Sequence, residues 1–125
     1  MSLDQVRSTM DGYFDAMGSG DDFSRFYTAD VRWIMIDSAQ EVHGPSAVRD
    51  YIGALHGKMF GNRQRQLVVA DGHAYLEGDC VDQPDVNEPR FVYCLVYDLD
   101  GDRIRDMRCY GSLARLMTDA QAAQS

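Results

Sequence analysis

Val6, Met10, Tyr13, Phe14 and Met17 recur at helical intervals, and this spacing predicts an amphipathic helix over residues 3–17. Ser2 can cap that helix with Gln5 as its reciprocal partner, and Gly18 and Gly20 end it. Asp21 or Asp22 can open a short second helix that runs through Phe26. Residues 31–37 then change period. Val31, Trp33, Met35 and Asp37 fall on one face, and Arg32, Ile34 and Ile36 on the other, as in a strand. A short strand follows at 41–43, and Pro45 opens a third helix behind Gly44. Val48, Tyr51, Ile52, Leu55 and Met59 form its single apolar stripe. Beyond this helix only strands are expected. Asp71-Gly72 separates residues 66–70 from 73–77, and Asp100-Gly101 separates 91–99 from 103–116. An Asp-Gly pair between apolar runs marks a hairpin, because the tight turn needs positive φ. Residues 84–89 read as the loop between the hairpins, and residues 118–125 as a frayed tail.

Helices first and strands last imply an α+β fold. One cone-shaped, curved, mainly antiparallel sheet would carry three helices from the N-terminal half on its concave face. The 125 residues suit one domain, spanning 1–125. Such an arrangement encloses a blind pocket suited to a small, largely apolar molecule. Taking Asp100-Gly101 as the turn pairs Cys94 with Met107 and Val92 with Cys109. Val92, Cys94, Val96, Met107 and Cys109 then face the pocket, leaving Phe91, Tyr93, Leu95, Tyr97, Ile104 and Tyr110 outside. An outer face that apolar predicts a homodimer built on it.

Composition removes several functions. The formal charge is −8, and the 12 Lys and Arg form no basic stripe, which argues against nucleic acid and against an anionic membrane surface. No apolar run approaches the ~20 residues that span a bilayer, and no basic-then-apolar leader opens the chain. Three cysteines, Cys80, Cys94 and Cys109, are odd in number and lie in strand-like runs, as suits free thiols in the cytoplasm. His43, His56 and His73 are remote from one another, so neither a metal site nor a cofactor is expected. His43, just before a helix start, reads as a surface or capping residue.

The chain resembles the nuclear-transport-factor-2-like superfamily, in the branch of ketosteroid isomerases and SnoaL-like polyketide cyclases. The carriers are Y-F-D-A-M-G-S-G-D from position 13, A-D-V-R-W from 29, G-P-S-A-V-R from 44 and D-G-D-R-I-R-D-M-R from 100. The resemblance covers nearly the whole chain. It implies the cone fold, while function varies across the superfamily between enzymes, binders and interaction modules. The isomerase pattern is met in part. Tyr13 matches the hydrogen-bond donor of the first helix. Met35 stands where the general base would be, with Asp37 two residues on. Cys94 stands where a protonated Asp would be. The epoxide-hydrolase pattern of an Arg bracketed by acids finds Arg108 followed by Cys109.

The resemblance also turns Tyr75 and Glu77 toward the pocket. Plain amphipathic alternation would instead turn Ala74, Leu76, Gly78 and Cys80 inward, and the expectation follows the resemblance. Asp37 is the candidate base, since a carboxylate beside Trp33 and Met35 would be desolvated and its pKa raised. The other reading, which turn chemistry favours, is that Asp37 opens the turn with Ser38 and Ala39. Tyr13 is the candidate donor to a ligand carbonyl, or else a core Tyr with a backbone partner. The expected ligand-binding residues are Trp33, Met35, Tyr51, Leu55, Met59, Tyr75, Glu77, Cys94, Met107 and Cys109, with Asp37 at the rim. Two functions follow. One is binding of a small apolar molecule with cofactor-free proton transfer of isomerase, cyclase or hydratase type. The other is a non-catalytic ligand-binding or protein-interaction module.

Overall fold

The computed structural model describes residues 2–84 and 90–116. The expected tail at 118–125, and all but the first residue of the expected loop at 84–89, lie outside them. Helix α1 (Leu3–Ser19) begins with the expected reciprocal cap: Gln5 N–H donates to Ser2 Oγ at 3.2 Å and Ser2 N–H to Gln5 Oε1 at 3.0 Å. Gly20 closes the helix by donating its N–H to the carbonyls of Ala16 and Met17. A single 3₁₀ turn, Phe23–Phe26, is capped by the Asp22 carboxylate. Helix α2 (Pro45–His56) buries Val48, Ile52 and Leu55.

The strands are β1 (Tyr27–Met35), β2 (Gln40–His43), β3 (Phe60–Ala70), β4 (His73–Val81), β5 (Phe91–Asp100) and β6 (Arg103–Gly111). They form one sheet in the order β2-β1-β6-β5-β4-β3. Only the β1–β6 pair is parallel, because the last strand returns to the first. The fold is thus the expected α+β curved sheet with its helices on one face. The core joins Val6, Met10 and Tyr13 of α1, Val48, Ile52 and Leu55 of α2, and the inward side chains of the sheet.

Two expected faces are corrected. The β5–β6 turn is Gly101-Asp102, closed by the pair Asp100–Arg103, with Gly101 at φ 61°. That slip alone moves the pairing by an even step and keeps the faces. A β-bulge does not. The register shifts between Asp98 and Leu99, leaving Arg105 unpaired, so that Leu95 meets Cys109 and Tyr97 meets Met107. Tyr93, Leu95, Tyr97 and Leu99 therefore point into the core, whereas Val92 and Cys94 point outward. In β4 the alternation Ala74, Leu76, Gly78, Cys80 is the buried set, and Tyr75 and Glu77 are exposed. Burial of apolar surface decides the face there, against the expectation from the resemblance.

The outward face carries a row of alternating charge. Arg32 holds Asp106 through two hydrogen bonds of 3.0 and 3.1 Å, and Asp98 is held by Arg108 and, at 2.8 Å, by His73. Asp79 is bracketed by Arg63 and Arg65, which cover its carboxylate from the solvent side rather than sinking it into the core. The hydrogen bond from Arg108 holds the Asp98 carboxyl below the usual carboxylate range, and that from Arg65 does the same for Asp79. A carboxyl lowered in the folded state stabilises the fold above its unfolded pKa, and the gain disappears as pH falls through the folded value. The melting temperature is therefore expected to hold from pH 7 to about 5 and to fall below about 4. Asp98→Asn should flatten part of that fall. A wild-type profile without an acid limb would sink this account.

Candidate functional site

Helices α1 and α2 lie over the inward face of the sheet and leave a cavity of about 240 Å³ between them. Its sheet side is Trp33, Leu76, Tyr93, Leu95 and Tyr97, and its helix side includes Tyr13, Met17 and Leu55. Gly18, His56, Asn62 and Gln64 line it and are exposed residues, so they mark its opening. Asn62 and Gln64 reach the lining because β3 runs from Phe60. The expected strand at 66–70 was too short to include them, since the polar run before Gln66 carries no hydrophobic alternation.

Tyr13 sits where the helix stripe places it, fully buried among the rings of Phe14, Phe23, Phe26, Tyr27 and Tyr97. Its hydroxyl shares a 2.5 Å hydrogen bond with that of Tyr27 and reaches Met107 Sδ at 3.7 Å. Burial, followed by the neighbouring Tyr27 and Tyr97, pushes its pKa well up, so it stays a neutral phenol. The Tyr93 hydroxyl donates to Asn62 Oδ1 at 2.6 Å, and burial pushes its pKa up to about 12. Trp33 is 2 % exposed and stacks obliquely on Tyr51 at 6.0 Å; its indole Nε1 is buried without a hydrogen-bond partner among the described residues.

His56 is the lining group with a pKa nearest neutrality. The residue is exposed at the opening, yet the protein around its ring lowers its pKa by desolvation. The imidazole is therefore mainly neutral at pH 7. Its position at the end of α2, one turn below Ile52, was available in the sequence. It borders the apolar stripe, but a hydrophobic pattern does not single out a polar residue there.

Of the expected site residues, Tyr13, Trp33, Leu55 and Met59 line the cavity. Met35, Met107 and Cys109 point inward but are packed as core, and Tyr51 flanks Trp33 without lining the space. Tyr75 and Glu77 are exposed on the other face, and Cys94 is half-buried there. Asp37 is exposed in the turn that follows β1 and is not part of the lining. Strand β1 ends at Met35, and the turn behind it, with Ala39 at φ 56°, takes Asp37 out of the alternation. The Asp37 carboxylate still adds, behind desolvation, to the raised pKa values of Cys109, at about 12, and of Tyr51.

The chemistry open to this lining is limited. Burial raises all three thiols, Cys80 to about 11, so none is a ready thiolate nucleophile. Among the described residues no group of three His, Cys, Asp or Glu is arranged to hold a metal ion, and no helix is long and apolar enough to cross a membrane. What remains is a space with aromatic and aliphatic walls among which phenol, amide and imidazole groups supply a substantial polar share. These groups can bind a neutral molecule, polarise an oxygen or accept a proton.

Solved structures share this architecture at low identity. A steroid delta-isomerase from Pseudomonas aeruginosa superposes with a TM-score of 0.76 and 14% identity, over 96% of this chain and 93% of that one. A de novo designed protein with a curved β-sheet gives 0.74 and 13%, over 94% and 98%. An NTF-2 like protein of unknown function from Burkholderia xenovorans gives 0.70 and 14%, over 86% and 83%. No curated protein matches the sequence. The model of the SnoaL-like domain matches residues 10–107, most of the chain, and the chain belongs to the SnoaL-like domain family.

Proposed function

We propose that this protein binds a small, largely apolar, uncharged organic molecule in the helix–sheet cavity. The observation that carries the reading is the cavity itself: about 240 Å³, walled by aromatic and aliphatic side chains and opening beside His56. Typical pockets for drug-sized ligands run from about 300 to 1,000 Å³. This one suits one or two fused rings better than the four rings of a steroid, although a steroid delta-isomerase shares the fold. Trp33 is the only tryptophan, so its emission reports the site. Titration with 2-tetralone, a two-ring ketone, should change that emission saturably. An emission unmoved up to the solubility limit of the probe would rule the reading out.

Cofactor-free proton transfer, of isomerase, cyclase or hydratase type, is the catalytic extension of this proposal, with Tyr13 as donor to a ligand oxygen and Asp37 as base. Two observations favour the non-catalytic reading instead. The Tyr13 hydroxyl is engaged by Tyr27 and Met107, and Asp37 is exposed outside the lining. The two readings separate in heavy water. Catalysed exchange of the α-hydrogens of 2-tetralone that is lost in Asp37→Asn would establish the extension. Binding without exchange leaves a ligand-binding module.

The homodimer expected from the outer sheet face stays part of the proposal, with different residues. The correction of the β5–β6 register buries Phe91, Tyr93, Leu95 and Tyr97. The outer face instead exposes Val92, Tyr110, Val68, Tyr75 and Ile36, at 37–56 % each. We place the contact there, and the three free thiols support a reducing, cytoplasmic setting as part of the same proposal. Light scattering should give twice the 14.1 kDa chain mass, and Tyr110→Glu should halve it by burying an unpaired charge in the contact. A wild-type monomer at micromolar concentration would exclude the dimer.

A further inference from the structure

The donors around the cavity are not equivalent. Tyr13 gives its hydroxyl to the pair with Tyr27 and to Met107, and Tyr93 gives its own to Asn62. Trp33 stands apart. Its side chain lines the cavity from β1, it is 2 % exposed, and its Nε1–H is the buried side-chain polar atom left without a partner among the described residues. An indole N–H buried this deeply ordinarily finds an acceptor, because leaving water without one is costly. Indole is also a donor only and cannot be satisfied by another N–H or O–H hydrogen. The ring packed on it is that of Tyr51, at 46° and 6.0 Å between centroids, whose hydroxyl donates to Gln40 Oε1 instead. Nε1 itself is closed off from the cavity that the rest of the side chain lines, so an acceptor arriving with a ligand must displace the side chain that covers it.

We propose that Trp33 Nε1–H is the specificity-determining donor of this cavity, and that the ligand is a one- or two-ring neutral molecule carrying an acceptor oxygen, such as a carbonyl, which that donor receives. The proposal rests on the binding reading above and adds the polarity of the ligand and the residue that reads it. Apolar walls supply most of the affinity for either a hydrocarbon or its ketone. Only the ketone satisfies the indole, so discrimination between the two measures the hydrogen bond.

The test uses the full chain and two matched probes, 2-tetralone and its hydrocarbon counterpart tetralin. Because the chain has one tryptophan, its ¹⁵N-labelled form gives one indole N–H resonance. Calorimetry should show 2-tetralone bound about ten-fold more tightly than tetralin, the factor expected for one satisfied buried donor. Only 2-tetralone should shift the indole resonance in the direction of a new hydrogen bond. Trp33→Phe keeps an aromatic wall and removes the donor, so both probes should bind it with similar affinity. If Trp33→Phe does not fold, the resonance of the native protein decides alone. Equal binding of the two probes overturns the proposal and leaves the binding reading in place. So does a preference for 2-tetralone that leaves the indole resonance unmoved, or one that survives in Trp33→Phe. If neither probe binds, the binding reading falls and takes this proposal with it.

Discussion

Gly111→Ala is expected to lower the melting temperature by roughly 10–20 °C, a loss of about 2–5 kcal/mol. Two costs coincide at this residue. Its φ is +131°, a conformation that a side chain resists. A Cβ there would also press into the backbone carbonyl of Val92 and stand 2.9 Å from Tyr93 Cα. Backbone cannot step aside as a flexible side chain can. The strand end at Gly111 would have to part from β5, breaking the 2.9 Å bond from Ser112 N–H to Val92 O and the 3.0 Å bond from Val92 N–H to Ser112 Oγ. Tyr93 lines the cavity, so ligand binding should weaken with the fold. Two other glycines separate the causes. Gly101 has φ +61° and open space around its missing Cβ, so Gly101→Ala should cost only the conformational part, about 1–2 kcal/mol. Gly78 has no positive φ, but its Cβ would meet the Tyr93 ring and, at 2.8 Å, the Arg63 carbonyl. It faces Tyr93 across the β4–β5 pair, and the ring lies over it. Gly78→Ala should therefore fall between the other two. Thermal melts of the three variants check the order, and a Gly111→Ala protein as stable as Gly101→Ala would refute the backbone clash.

The helices were legible in the sequence because their signals are local. Ser2, Gln5 and the stripe from Val6 to Met17 sit within a few turns of one another, and the cap forms as written. Asp71-Gly72 likewise fixes its hairpin, with Ala70 opposite His73. The parity of β5 against β6 depends on a single unpaired residue, Arg105, and nothing local announces a bulge there. A signal for the right answer did exist. Asp98 and Asp100 share the outward set of β5 with Cys94, and Asp106 and Arg108 share that of β6 with Tyr110. Charges on one alternating set argue that the other set, with Tyr93, Leu95, Tyr97, Met107 and Cys109, is the buried one. The site suffered from the same limit. Val31, Trp33 and Met35 were placed on the inward face correctly, but Asp37 lies past the last residue of the strand. Alternation stops carrying information where the strand stops. Asn62, Gln64 and His56 are polar residues on the cavity wall, and a reading that searches for apolar patterns cannot find them.

Leu76→Trp is expected to abolish binding of 2-tetralone while leaving the melting temperature unchanged or a few degrees higher. Leu76 sits in the middle of the sheet, between Leu67 and Leu95, and its side chain lines the cavity from below. An indole at that position would grow into space rather than into neighbours, so the usual penalty for a larger core residue does not apply. A void of this size carries its own cost. At ~24 cal/mol per Å³, 240 Å³ would correspond to about 6 kcal/mol, an upper bound because the opening beside His56 admits solvent. A family member used only as an interaction module would gain from filling that space, since its outer surfaces do not depend on it. A binder keeps the space empty because the ligand completes the core, and the energy recovered on filling it is the affinity. Calorimetry with 2-tetralone and a thermal melt on Leu76→Trp therefore separate the two. Lost binding with a stable fold places the ligand in the cavity. Binding that survives the indole places it elsewhere, and a collapsed melting temperature would mean that the walls close around less space than their positions indicate.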